Sequence, residues 1–138
     1  GHAIGRWGNF INNELYGPPT DLSWGLQIPP QFRVPPYNDL TQYPPDTLFH
    51  PAFLYESLAN LALCFLLIWA SERFRERLKP GTITVGYLIG YSIIRYFMDT
   101  MRTDMTNAQP VALVFIALGV LYLVIEYGPW RRGQPATG

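Results

Sequence analysis

Three apolar stretches, Ala52 to Ala70, Thr82 to Met101 and Val111 to Tyr127, constrain the fold more than any other feature of the chain. Each approaches the roughly 20 residues with which an α-helix crosses about 30 Å of hydrocarbon. The mean hydropathy is close to zero only because two parts of the chain cancel. Residues 1 to 50 are polar, aromatic and proline-rich, whereas residues 51 to 128 hold the apolar runs. The expected fold is an all-α polytopic membrane protein: a transmembrane helix bundle with a small irregular proline-rich extracytoplasmic lobe. Its expected divisions are a helix or helix end over 1–17, the lobe over 18–50, and three spans within 51–138 with a basic cytoplasmic loop and tail.

The second span carries charges that hydrocarbon disfavours. Tyr91, Arg95, Asp99 and Arg102 fall within about 80° of one another on a helix of 100° per residue, so one face gathers two cations, an acid and a phenol. An arginine at membrane depth costs at least a few kcal/mol when it faces lipid, so this face is expected to line a polar cavity. Counting outward from Thr82 at 1.5 Å per residue, Arg95 lies about 20 Å and Arg102 about 30 Å along the helix. An anion held there sits near the depth of an outer-leaflet phosphate, which guanidinium recognises by forked hydrogen bonds. A salt-bridge ladder pinning helices together is the competing explanation. Gly86 and Gly90 lie on the far side of the same span, where small residues admit a close neighbour.

Orientation follows from charge. Arg73, Arg75, Arg77 and Lys79 precede the turn Pro80-Gly81, and Arg131-Arg132 follows the third span. The positive-inside rule makes both cytoplasmic, which puts the lobe and the loop Thr103 to Gln109 outside. Four diprolines, Pro18-Pro19, Pro29-Pro30, Pro35-Pro36 and Pro44-Pro45, surround one strand candidate, Ser23 to Ile28, in that lobe. Pro51 is placed to open the first span and Trp69 to mark its far interface.

The first span has its own polar intrusion. Glu56 and, one turn deeper, Asn60 share a face. Two roles remain open for Glu56, pairing an arginine of another helix or tuning a proton-transfer group. Two remain open for His50 as well, contact with the free amides of the helix start or acid–base work. Ahead of the lobe, His2 to Tyr16 reads as a helix or its last turns, with Gly17 at the C-cap and Pro18-Pro19 stopping it. Arg6, Asn9 and Asn13 then share a face at i, i+3 and i+7 with Glu14 at its edge, a donor set suited to a phosphate and its glycerol hydroxyls; a snorkelling arginine at an interfacial helix end is the alternative.

Formal charge is zero and no basic tract is dense enough for a nucleic-acid arm, so no nucleic acid is expected as a partner. One cysteine and two histidines supply neither an internal disulfide nor a structural metal set, and no cofactor is expected. Cys64, amid Leu63, Phe65 and Leu66, reads as a small buried hydrophobe. The chain opens Gly1-His2 without methionine or signal peptide and reads as a fragment.

The string Gly5-Arg6-Trp7-Gly8-Asn9-Phe10-Ile11-Asn12-Asn13-Glu14-Leu15-Tyr16-Gly17 closely resembles the signature of bacterial prolipoprotein diacylglyceryl transferases, Gly-Arg-x-Gly-Asn-Phe-x-Asn-x-Glu-x-x-Gly. Phe49-His50-Pro51 with Leu54-Tyr55-Glu56, and Gly90-Tyr91 with Arg95, Asp99 and Arg102, resemble two further blocks of that family in the same order. The resemblance covers essentially the whole chain and the C-terminal half of a member. It implies transfer of the diacylglyceryl group from phosphatidylglycerol to the lipobox cysteine in the signal peptide of a preprolipoprotein, the first step of lipoprotein maturation. It also implies a multi-pass protein of the bacterial cytoplasmic (inner) membrane, in contact with membrane lipid, its site facing the outer leaflet.

By the same resemblance Arg6 binds the phosphate of phosphatidylglycerol and Arg95 stabilises charge as the carbon–oxygen bond breaks. Asn9, Glu14, Gly17, His50, Glu56, Tyr91, Asp99 and Arg102 support the pocket. Asp99 stands where many members have glutamate, and the family's His-Gly-Gly segment is not among these residues, so no thiol base is assigned. Two other functions use the same features, a non-catalytic module that binds anionic phospholipid and a fragment of an anion transporter or channel.

Overall fold

The structure, a computed structural model, describes residues 1–101 and 109–129. It is mostly helical. α1 spans His2–Ile11, α2 Ala52–Arg73, α3 Thr82–Met101 and α4 Gln109–Tyr127, with short strands β1 (Leu26–Gln27) and β2 (Leu48–Phe49) between the first two helices. Arg102, the segment from Thr103 that the charge pattern was expected to place outside, and the tail pair Arg131-Arg132 lie outside the described residues. Contacts divide the chain into two compact units, one containing Gly1–Leu61 and the stretch from Phe97, the other Ala62–Tyr96 and α4.

Helix boundaries follow local chemistry. Pro51, fully buried, precedes α2 and accepts the Leu54 N–H at 2.9 Å, and Arg73 sits in the last turn against the helix dipole. Gly81 takes φ +85°, a turn conformation that side chains rarely adopt, and α3 begins at the next residue. α2 and α4 are long and apolar enough to cross a membrane. α3 has the length, but Arg95 and Asp99 lower its apolarity.

α1 ends five residues earlier than the sequence suggests. Its C-cap is Asn12, and Asn13 follows at φ +54°. The Glu14 N–H bonds to Asn9 O at 2.8 Å and the Asn13 N–H to Phe10 O at 3.1 Å, the paired 6→1 and 5→2 bonds of a Schellman termination. Asparagine tolerates the left-handed conformation and here takes the place usually given to glycine. Gly17 is therefore not the helix cap, and Asn13 leaves the helical face it was expected to share with Arg6 and Asn9.

The lobe forms around a small aromatic core of Tyr16, Ile28 and Phe49. β1 and β2 pair antiparallel, Leu26 opposite Phe49 and Gln27 opposite Leu48, which shortens the expected strand Ser23 to Ile28 to two residues. The donor at its centre is Arg33, 5% exposed. Arg33 Nε donates to Ile28 O at 2.8 Å, Nη1 to Tyr43 O and Pro44 O at 3.0 Å each, and Nη2 to Pro45 O at 2.9 Å, while the guanidinium lies over the Phe49 ring. The Tyr16 hydroxyl accepts the Val34 N–H at 2.7 Å; burial raises its phenol pKa above 10.0, and that amide bond pulls it back in part.

In the other unit the glycines of α3 are points of close approach. A Cβ on Gly86 or Gly90 would run into Leu67 or Leu63 of α2, and one on Gly119 of α4 would strike Ile89 and Val85 of α3. Tyr127 OH accepts the Lys79 N–H at 2.8 Å, Lys79 Nζ pairs with Glu126 at 3.4 Å, and Tyr122 OH donates to Pro80 O at 2.9 Å, fastening α4 to the turn before α3. α4 buries only Ala112 and Gly119, while Leu113, Val114, Leu118 and Leu121 are each more than half exposed. Surface this apolar is stable against an apolar phase rather than water. Cys64 is exposed on α2. It does not pack in an interior, because α2 buries only Ala52, Phe53, Glu56, Ser57 and Asn60, all in its first nine residues.

Candidate functional site

The buried residues of α2 form a polar face, since Glu56, Ser57 and Asn60 recur at helical spacing beside Phe53. α1 packs on it. Phe10 stacks on Phe53 with ring centroids 4.9 Å apart, Trp7 meets the same ring edge-on at 5.3 Å, and Ser57 Oγ donates to Ala3 O at 2.8 Å. These contacts bring Arg6 Nη2 to 2.9 Å from Glu56 Oε1. The arginine partner that the sequence left open for Glu56 is thus Arg6.

That pair is close but poorly aligned. Glu56 Oε1 has no partner of hydrogen-bond geometry despite its separation of 2.9 Å from the guanidinium. The attraction is therefore mainly coulombic, and the directional donors of Arg6 are not saturated by the carboxylate. Asn60 Nδ2 donates to Glu56 O at 2.8 Å, and its Oδ1 is buried without a partner among the described residues. Asn9, half-buried, contributes its carbonyl to the helix termination, and Glu14 is exposed beside it.

Gly17 and His50 form a second cluster in the same unit. The Gly17 N–H donates to His50 O at 2.8 Å and the His50 N–H to Pro18 O at 3.0 Å. A Cβ on Gly17 would lie 2.7 Å from His50 Cβ and 3.4 Å from Met101 O. Glycine is required there so that the backbone can approach the histidine. His50 O also accepts the Ala52 N–H at 2.9 Å, so its backbone serves the helix start, whereas its ring turns to Tyr55, Nδ1 to hydroxyl 3.1 Å. Trp24 Nε1 donates to that hydroxyl at 2.9 Å. No signal in the sequence pointed to Trp24, Ser57 or Arg33: Trp24 and Ser57 act through partners 31 and 54 positions away, and Arg33 through loop carbonyls 5 to 12 positions away that no periodicity marks.

Of the predicted stripe, α3 carries Tyr91, Arg95 and Asp99. Tyr91 is half-buried and stacks on Tyr87 at 5.9 Å between centroids. Arg95 Nη1 and Asp99 Oδ1 are each buried without a hydrogen-bond partner among the described residues. A buried guanidinium nitrogen without an acceptor is costly, and an anionic oxygen is what would complete it. Such an arrangement suits binding of a phosphate or stabilisation of charge on a departing oxygen.

A family model described as prolipoprotein diacylglyceryl transferase matches residues 1–125. A protein of Chloroflexus aggregans is 52% identical across 79% of this chain and 38% of its own length. One of Synechococcus elongatus is 50% identical across 98% of this chain and 47% of its own length, and one of Acaryochloris marina 41% identical across 99% and 49%. All three are named phosphatidylglycerol–prolipoprotein diacylglyceryl transferase. The chain spans about half the length of these curated relatives, or less. No solved structure matches it.

Proposed function

Because the chain belongs to the prolipoprotein diacylglyceryl transferase family, we propose that it supplies the lipid-phosphate part of an enzyme that moves the diacylglyceryl group of phosphatidylglycerol onto the cysteine of a prolipoprotein. In that reaction the cysteine sulfur forms a bond to the glyceryl carbon as the carbon–oxygen bond to phosphate breaks, and the electron pair leaves on the oxygen of glycerol phosphate. Negative charge grows on that oxygen. Arginine is the side chain suited to it, because its planar fork can hold two oxygens at once and stays charged.

Arg6 is assigned to the substrate phosphate and Arg95 to the charge that develops on the leaving group. Asn9, Glu14, Gly17, His50, Glu56, Tyr91, Asp99 and Arg102 are assigned supporting roles. The observation that carries this reading is the buried Nη1 of Arg95, which finds no acceptor among the described residues. A ladder built only to pin helices would satisfy its cation with a carboxylate. The membrane reading, a polytopic bundle of the bacterial inner membrane with its site toward the outer leaflet and the signal-peptide lipobox as acceptor, draws support from the exposed apolar faces of α2 and α4.

The test is lipidation of a prolipoprotein peptide by the full-length protein with phosphatidylglycerol supplied, measured for the parent and for Arg6→Lys and Arg95→Lys. Lysine keeps the charge and loses the fork, so each variant is expected to insert at parental levels and to lose about tenfold to a hundredfold in transfer. Arg75→Lys, in the basic turn, serves as a silent control. Parental transfer by both lysine variants would remove the phosphate clamp and return the arginines to a structural role.

A further inference from the structure

The contacts among Trp24, Tyr55 and His50 have a direction. An indole N–H only donates, so the 2.9 Å contact from Trp24 Nε1 makes the Tyr55 oxygen an acceptor. The one proton of the Tyr55 hydroxyl is then free to point along the 3.1 Å contact to His50 Nδ1. In that arrangement Nδ1 is unprotonated, and the neutral ring carries its proton on Nε2. The opposite arrangement, with Nδ1–H donating to Tyr55, makes the oxygen accept twice and leaves the hydroxyl proton without an acceptor among the described residues. It has one hydrogen bond fewer within the protein.

We infer that Trp24, acting through Tyr55, holds His50 as a neutral ring whose Nε2–H donates to an anionic oxygen of the lipid substrate, and that His50 does not take the thiol proton. The second part follows from the first. Only Nδ1 has a free lone pair in this tautomer, and Nδ1 is occupied by the Tyr55 hydroxyl, so the resting ring has no lone pair to offer a thiol. Nε2 has no hydrogen-bond partner among the described residues and remains available as a donor. The ring itself is held in place: the His50 main chain is bonded to Gly17, Pro18 and Ala52, and the absent Cβ of Gly17 lets the backbones close. Trp24 is thus a positioning residue, reaching the first turn of α2 from the lobe. The donor role rests on the transferase reading; the tautomer does not.

The experiment uses the full-length protein in detergent with ¹⁵N-labelled histidine, the His50 resonances being identified by their loss in His50→Gln. The parent is expected to give a pyridine-type Nδ1 and a pyrrole-type Nε2. Trp24→Phe and Tyr55→Phe are expected to move both nitrogens toward intermediate shifts, while Trp69→Phe leaves them in place. A pyrrole-type Nδ1, or already averaged shifts in the parent, would overturn the assignment. Kinetics address the donor role. Glutamine keeps an N–H within reach of the Nε2 position, so His50→Gln is expected to lose about two- to tenfold in kcat/KM, mostly through KM for phosphatidylglycerol. His50→Ala is expected to lose at least a further tenfold, and Trp24→Phe about two- to fivefold. If His50→Gln abolishes transfer as fully as His50→Ala, His50 is a base and the inference falls. A parent without any transfer overturns the reaction assignment and the donor role together, whereas the tautomer is decided by the nitrogen shifts alone.

Discussion

Replacing Glu56 with glutamine removes one charge of the Arg6–Glu56 pair and leaves the side-chain volume almost unchanged. The two groups lie 2.9 Å apart, with side chains 19% and 5% exposed respectively. At an effective dielectric near 20 that separation corresponds to about 6 kcal/mol of attraction before desolvation is counted. Breaking a buried pair typically costs about 3 to 5 kcal/mol, because the remaining charge is stranded. Arg6 keeps a fifth of its side chain accessible, and the contact lacks hydrogen-bond alignment, so a loss of about 2 to 4 kcal/mol is expected for Glu56→Gln. A double-mutant cycle with Arg6→Gln isolates the pair. Reversible unfolding of the full-length protein in mixed micelles should give a coupling of about 1.5 to 3 kcal/mol, the double variant being more stable than the two single losses added together. A coupling below about 0.5 kcal/mol would mean that α1 is held to α2 by Phe10, Trp7 and Ser57 alone and that the ion pair is incidental.

Two further outcomes follow from the surface and from the lobe. In a Cys64→Ser background, a cysteine at Gln42 should react with an impermeant thiol reagent on intact cells and one at Glu76 should not; labelling at 76 from outside would reverse the orientation drawn from the basic turn. The raised pKa of Tyr16 means that the folded lobe favours the neutral phenol, so its stabilising share is complete below the unfolded value near 10.0 and is lost as pH rises through the higher folded value. Trp24 fluorescence should report alkaline loosening in the parent. Tyr16→Phe should start about 1 kcal/mol less stable, from the lost Val34 bond, and show a flatter alkaline limb; an unchanged limb would exclude Tyr16 as its source.

The helices of the second half were legible because their signals are local. Thr82–Met101 has the bounds read from the sequence, since Pro80-Gly81 punctuates one end and apolar length sets the other. The end of α1 was misread for an equally physical reason. A glycine after a helical pattern looks the same whether it supplies a left-handed φ or a missing Cβ; Asn13 does the first and Gly17 the second. The polar residues of the site were legible as residue types out of place in apolar spans. Their partners were not, because Arg6 meets Glu56, and Trp24 meets Tyr55, across separations that periodicity cannot see.

Arg33 is the clearest case, and it carries the last prediction. A lone arginine in a proline-rich stretch reads as a solvated charge, yet proline removes amide donors and so leaves the carbonyls around it short of partners. A buried side chain with five donors and no acceptor answers that shortage, and Arg33 gives four bonds to the carbonyls of Ile28, Tyr43, Pro44 and Pro45. Lysine has the charge but only three donors on one atom, which cannot reach carbonyls arrayed along a planar fork. Arg33→Lys should therefore destabilise the lobe by about 2 to 4 kcal/mol, chiefly through the carbonyls of Ile28 and Tyr43, since Pro44 O keeps the Thr47 N–H and Pro45 O keeps Gln27 Nε2. The measurement is Trp24 fluorescence against denaturant, with proteolysis of the segment from Pro29 to Pro45 as a second readout. If lysine is accepted within about 0.5 kcal/mol, the lobe needs only a cation over Phe49, and the account of proline-orphaned carbonyls fails.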